Sequence, residues 1–180
     1  MNKIIKLIKR LIVKYVFQKY IFVFIIFQIL LSQKLIVPMD HLQSDHLKAY
    51  GIAFWTLKNN DNVDWLLNYR GGSFMMNYNH NLEHELKVRG VAYEFINASI
   101  ITEIFAQIEV NNMDMVLLEK LPKIAVYSPP DKQPWDDAVT LALTYAEIDY
   151  DVIFDDEIFA GALKKYDWLH LHHEDFTGQY

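Results

Sequence analysis

The strongest constraint on the fold is a regular alternation between short apolar runs and segments with helical spacing. Six apolar runs, rich in β-branched and aromatic residues, have the length of strands: 34–39, 63–69, 91–96, 123–128, 150–154 and 167–173. Strands that alternate with helices are typical of an α/β domain with a mostly parallel sheet. We therefore predict a Rossmann-like or flavodoxin-like fold, mostly parallel, preceded by an N-terminal hydrophobic leader helix.

Capping residues mark where several helices should begin and end. Asp40 is expected to cap a helix after the first strand, and Ser99 to cap a helix over 99–108. Asn79 and Gly90 are expected to be the N-cap and the C′ residue of another helix. The segment 111–122, "NNMDMVLLEKLP", is interpreted as a linker between two halves.

The N-terminal segment differs sharply in charge from the rest of the chain. Residues 1–39 carry seven Lys or Arg and no acid, whereas the remainder carries ten against 23 acids, a difference of −13. The basic start, the apolar run "YIFVFIIFQILL" at 20–31 and the small Ser32 resemble a secretory signal peptide. The alternative is an uncleaved membrane anchor formed by residues 11–31. Either interpretation predicts export to the periplasm or cell envelope, with membrane contact only through this leader.

These boundaries predict three parts. Residues 1–33 form a signal peptide or membrane anchor, 34–110 a first α/β half, and 123–180 a second α/β half that is expected to be truncated at its C-terminus. The acidic body excludes nucleic acid as a partner, because phosphate contacts need clustered cations. The chain has no cysteine, so it has no thiolate metal site and no cysteine nucleophile. No cofactor is predicted.

The candidate site residues lie just past the predicted strands or near them, where ligands bind in open parallel sheets. The candidate substrate-binding residues are Asp40, Arg70, Gly71, Gly72 and Ser73, and the candidate catalytic residues are Ser128, His172, His173 and Glu174. The string "RGGS" could hold an anion or be only a tight turn with a surface arginine. Alternation along "DWLHLHH" puts Trp168, His170 and His172 on one face of a strand. This cluster could be a catalytic or substrate-binding rim, a metal pair, or polar packing at a strand end; we predict no metal.

Four strings carry a resemblance to a known family: "PMDHLQSDHLKAYGIAFW", "VDWLLNYRGGSFMM", "KIAVYSPPDKQPWDDAVTLALTYAEIDYDVI" and "YDWLHLHHEDFTGQY". In this order, over residues 34–180, the chain resembles the N-terminal part of a Bacteroidetes family of exported proteins labelled asparagine synthetase B. The resemblance implies a class I glutamine amidotransferase-like protein, of the glutamine-hydrolysing asparagine synthase type. It also implies that the Gly-rich turn and the cysteine nucleophile follow residue 180.

Two functional hypotheses follow. In the first, the chain is the N-terminal fragment of an amidotransferase-like enzyme, inactive alone because the nucleophile is missing, and it associates with a C-terminal half. In the second, the same rim belongs to a non-catalytic binding module of the cell envelope that holds a small polar ligand. The residues leave open whether the chain itself is an enzyme.

Overall fold

The structure is a computed structural model of the chain. It describes residues 14–15, 17–20, 33–129 and 137–171. Of the helices within these ranges, none is both long and apolar enough to cross a membrane. The predicted leader helix is therefore not found among the described helices. Apart from Tyr20, the apolar run 20–31 that suggested it lies outside the described residues.

The described body contains strands and helices in the order β1, α1, β2, β3, α2, β4, α3, β5, β6, α4, β7, α5 and β8. The strands are β1 (Lys34–Val37), β2 (Val63–Leu67), β3 (Ser73–Asn77), β4 (Glu94–Ile96), β5 (Asp114–Leu118), β6 (Ile124–Tyr127), β7 (Asp151–Ile153) and β8 (Trp168–Leu171). The α-helices are α1 (His46–Lys58), α2 (His80–Arg89), α3 (Ala98–Val110), α4 (Ala138–Ala146) and α5 (Asp155–Phe159). Short 3₁₀ turns occupy Tyr69–Gly71 and Ala162–Lys165.

The larger sheet shows that the predicted mostly parallel fold is wrong. Five strands lie in the order β4-β1-β3-β2-β5, and every neighbouring pair is antiparallel. The prediction failed because none of the six predicted strands covers β3. Only five residues separate β2 from β3, which is too short for the crossover that parallel neighbours require. The observed architecture is mixed α/β, with an antiparallel five-stranded sheet and a separate small parallel one.

The five-stranded sheet has a hydrophobic cluster on each face because successive strand residues point to opposite sides. Leu35 and Val37 join one cluster with Ile52 of α1 and Leu86 of α2. Ile36, between them in β1, joins the other cluster with residues of α3. Burial on both faces explains why β1 reads as a continuous apolar run rather than as an alternating pattern.

The segment predicted as a linker, 111–122, contains strand β5. Its residues 114–118 pair with β2 along the whole strand, from Asp114 opposite Leu67 to Leu118 opposite Val63. The linker prediction was wrong because the polar residues at 111–112 form only the turn after α3. The boundaries 34–110 and 123–180 themselves remain a prediction.

The small sheet consists of three parallel strands in the order β7-β6-β8. Its central strand, β6, is almost fully apolar and buried, as a strand covered on both faces requires. The small sheet lies beside the larger one through a close approach of α1 and α4. A Cβ atom on Gly51 would be only 1.9 Å from the carbonyl oxygen of Ala146, so only glycine fits at this position.

Candidate functional site

The strand order of the small sheet places a topological switch point between β6 and β8, where a ligand-binding crevice is expected. The chain runs from β6 to β7 on one side and then returns past β6 to β8 on the other. The β6–β7 and β7–β8 connections run in opposite directions across the sheet. Because parallel crossovers are right-handed, the two connections lie on opposite faces. Ligands bind at such a point, outside the carboxyl ends of the strands. Ser128, directly after β6, and His170, near the end of β8, lie at this end.

Ser128 and His170 lie on the same face of the small sheet. His170 is paired in register with Val126, two residues before Ser128. The Ser128 amide continues the strand by donating to the Ile153 carbonyl oxygen at 3.0 Å. With side chains alternating along β6, Ser128 therefore points to the same side as Val126 and His170.

Asp137 joins these residues from the start of α4. It is the N-cap of this helix, where a carboxylate is favoured, and its Oδ1 accepts the Val139 amide at 2.5 Å. Its other oxygen, Oδ2, lies 2.7 Å from Nε2 of His170. The carboxylate is almost fully buried, with 4% of Asp137 exposed. A single acidic residue thus begins the helix and orients the histidine.

The contact with Asp137 determines which histidine nitrogen carries the hydrogen. An ionised carboxylate can only accept, so Nε2 of His170 donates to it. In the neutral ring the other nitrogen, Nδ1, is then an acceptor and a base. The His170 side chain keeps 19% of its surface exposed, which leaves it accessible to a ligand.

The Ser128 hydroxyl is a buried polar group without a hydrogen-bond partner among the described residues. The residue is only 1% exposed. Leaving a buried hydroxyl unpaired costs about 1–3 kcal/mol. Such a group at the end of a sheet is a ready donor for a ligand or for a bound water.

The predicted substrate-binding residues form a second cluster, on the five-stranded sheet. Arg70 donates from Nε to Oδ2 of Asp40 at 2.8 Å and from both terminal nitrogens to Glu94 at 2.9 and 3.1 Å. The hydrogen bond from Arg70, with that from the Leu42 amide, holds the pKa of Asp40 below its usual range. The hydrogen bonds to Glu94 and then to Asp40 raise the pKa of Arg70.

The backbone of this cluster forms a tight turn with left-handed φ values and a close backbone contact. Arg70 has a φ of 45°, in the left-handed region, and Gly71 and Gly72 follow at 82° and 96°. A Cβ on Gly71 would be 2.3 Å from the Met39 carbonyl oxygen. The Ser73 hydroxyl donates to the Arg70 carbonyl oxygen at 3.3 Å.

The cluster joins the end of β1 to the turn before β3 and to β4. The structure brings together Asp40, Arg70, Gly71, Gly72 and Ser73, as the sequence suggested, but it adds Glu94, which sequence reasoning missed. Two carboxylates already occupy the guanidinium, so the cluster has an excess of negative charge and is poorly suited to an anion. Its role in substrate binding stays a prediction.

The remaining predicted residues fall in two places. Ser128 lies in the crevice, whereas His172, His173 and Glu174 lie outside the described residues. Asp137 and the role of His170 were not foreseen. The signal available for Asp137 was its position directly before the helical pattern at 138–146, where an aspartate is a favoured N-cap.

Within the described ranges, no group of three His, Cys, Asp or Glu residues is arranged to hold a metal ion. At the crevice, Ser128, Asp137 and His170 offer hydrogen bonding and proton transfer. Searches against protein-family models, curated proteins and solved structures found no match to this chain.

Proposed function

We propose that this chain is part of an amidotransferase-like protein similar to the exported family labelled asparagine synthetase B. We further propose that it binds the amide of a small polar substrate at the carboxyl end of the small parallel sheet. The observation that carries this proposal is the Asp137–His170 pair beside the unpaired Ser128 hydroxyl. The strings that suggest the family also supply these three residues.

The polar groups of the crevice suit a neutral amide better than an anion. Nδ1 of His170 accepts a hydrogen bond, and the Ser128 hydroxyl can donate one. A carboxamide offers the matching pair, an N–H donor and a carbonyl acceptor. An anion is disfavoured, because the Asp137 carboxylate already occupies the N-terminus of α4. The side chains of glutamine and asparagine carry the required group.

Because Ser128 is buried, its hydroxyl can bind a ligand only if the ligand reaches beneath the surface or if an ordered water lies between the ligand and the hydroxyl. Bridging waters are nearly as favourable as direct hydrogen bonds. His170 makes the direct contact, because part of its ring is exposed. The Ser128 hydroxyl then donates to the ligand's carbonyl oxygen, directly or through the water.

The pair can also support acyl transfer. A carboxylate that orients a histidine is the base-and-orienter arrangement that activates nucleophiles in many hydrolases. This chain has no cysteine, and the Ser128 hydroxyl is buried. We expect the chain to bind glutamine without releasing ammonia from it.

Isothermal titration of the full chain with L-glutamine and L-glutamate tests this proposal. Glutamine is expected to bind more tightly, and His170→Ala to weaken its binding about tenfold, because the acceptor that contacts the amide is lost. His84→Ala is the control, since His84 lies exposed on α2. Equal binding of the two ligands, or an unaltered affinity in His170→Ala, would count against the proposed site.

A second candidate is a non-catalytic binding module of the cell envelope. The observation that favours it is the burial of Ser128, which suits ligand retention rather than attack. An assay of ammonia release from glutamine, made on a tagged chain purified from its host, distinguishes the two candidate functions. Activity abolished by iodoacetamide indicates amide transfer by a cysteine-bearing partner, because this chain has no cysteine to alkylate. Glutamine binding with no such activity indicates the binding module.

Export to the periplasm or cell envelope is part of both candidates. It is supported by the basic residues that precede the apolar run of the leader at 1–33. Protease added to intact spheroplasts tests it: digestion of the body without lysis supports export, and protection until lysis contradicts it.

A further inference from the structure

A second cavity lies between the two sheets, away from the three residues of the proposed site. Its volume is about 400 Å³, within the range of small-molecule sites. The five-stranded sheet contributes Trp65, helix α1 contributes Tyr50 and Phe54, and the small sheet with its helix contributes Trp168 and Leu143. The lining is almost entirely aromatic and aliphatic, so it suits an apolar ligand.

Two donors, Lys120 and the Trp168 indole, lie at this cavity. Lys120 lines it and makes no ion pair with any described residue, and its ammonium can only donate. The indole nitrogen of Trp168 is a donor only, and it has no hydrogen-bond partner in the described part of the chain. Both side chains are exposed, Trp168 by 44%.

The same cavity is free of acidic side chains in its described lining. This is unusual in a body that carries 23 acids against ten lysines and arginines after residue 39. An unpaired cation at the edge of an apolar cavity attracts a ligand with a negative group outside and an apolar part inside. Carboxylates in the lining itself would have opposed this attraction.

We propose that this cavity binds an amphipathic anion, a carboxylate joined to an alkyl group. The alkyl group lies between the two sheets and the carboxylate lies at Lys120. The proposal concerns a site separate from the amide-binding crevice. Trp168 lies between the two sites, with its ring centroid 6.5 Å from that of His170.

The probes are 10-bromodecanoate and its uncharged match, 10-bromodecanol. Bromine quenches tryptophan fluorescence on contact, and the leader contains no tryptophan, so quenching reports on the body of the full chain alone. We expect saturable quenching that disappears in the Trp65→Phe/Trp168→Phe variant. It should persist in Trp55→Phe, because Trp55 does not line this cavity.

The charge at the cavity is tested by Lys120→Gln, with the exposed Lys164→Gln as control. Lys120→Gln should weaken binding of the acid about fivefold, the upper end for an exposed ion pair, and leave binding of the alcohol unaltered. Lys164→Gln should change neither. The proposal is overturned by any of three results: no saturable quenching, equal affinity for acid and alcohol in the parent chain, or quenching that survives loss of both Trp65 and Trp168.

Discussion

Replacing Gly51 by alanine tests the close approach of α1 and α4. In an open helix this change stabilises by about 0.5–1 kcal/mol, because glycine loses more backbone entropy on folding. Here the added Cβ would lie 1.9 Å from the Ala146 carbonyl oxygen, against an ordinary contact of at least 3.4 Å. The obstacle is backbone, so the two helices must separate by about 1.5 Å.

Overpacking of this kind costs about 1–3 kcal/mol. After the helical gain is subtracted, we expect Gly51→Ala to lower the free energy of unfolding by up to about 2.5 kcal/mol. Urea unfolding of the full chain, followed by tryptophan fluorescence, measures this difference. A stabilised variant would refute the reasoning, because it would mean that the helices are not in contact at Gly51.

A control separates the loss of docking from a general loss of stability. Gly161 has a φ of 82°, and a Cβ added there would meet no other atom within 4 Å. Gly161→Ala therefore costs only the left-handed strain of about 1–2 kcal/mol. Limited trypsin digestion should cut after Lys120 or Lys123, between the two sheets, faster in Gly51→Ala than in Gly161→Ala. Equal rates would contradict a docking defect.

Two further predictions concern the acidic residues of the two clusters. The pKa of Asp40 is lower in the folded chain, so its pairing with Arg70 stabilises fully above the unfolded value of about 3.9, and this stabilisation is lost as the pH falls from there through the lower pKa of the folded chain. In urea unfolding, Asp40→Asn should therefore have a lower free energy of unfolding than the parent chain at pH 7, and the difference should shrink towards pH 3. The exposed Glu109→Gln is the control and should match the parent chain at every pH. A constant difference for Asp40→Asn would contradict the pairing. Asp137→Asn should keep the helix cap, with a stability change within about 1 kcal/mol, yet lose glutamine binding, because an amide nitrogen can donate to Nε2 and reverse the histidine tautomer. Unaltered glutamine binding in titration would show that Asp137 does not set the tautomer.

Local signals in the sequence predicted several elements correctly. Helix α2 begins after Asn79, whose side chain accepts the Leu82 amide, and ends at Gly90 in the left-handed conformation. Both predictions are confirmed, because caps depend on residues three or four positions apart. The caps at Asp40 and Ser99 were wrong. Asp45 and Asn97 cap those helices instead, and both are equally suitable residue types nearby.

The arrangement of the strands could not be predicted in the same way. Strand β3, with its two methionines, lacks the β-branched residues that mark a strand, and its direction follows from pairing with β1 and β2. The site was missed for a related reason. Asp137 and His170 are 33 residues apart, and they meet only because β8 lies beside β6 in parallel register.

The central claim is that Asp137 holds His170 with its hydrogen on Nε2, leaving Nδ1 to accept from an amide. Nitrogen-15 NMR of the imidazole rings, with His170 assigned by comparison with His170→Gln, measures this directly. We predict the shift of a protonated Nε2 and an unprotonated Nδ1, with the Nδ1 signal moving when L-glutamine is added and not when L-glutamate is added. A hydrogen on Nδ1, or a His170 signal that glutamine leaves unaltered, would contradict the account.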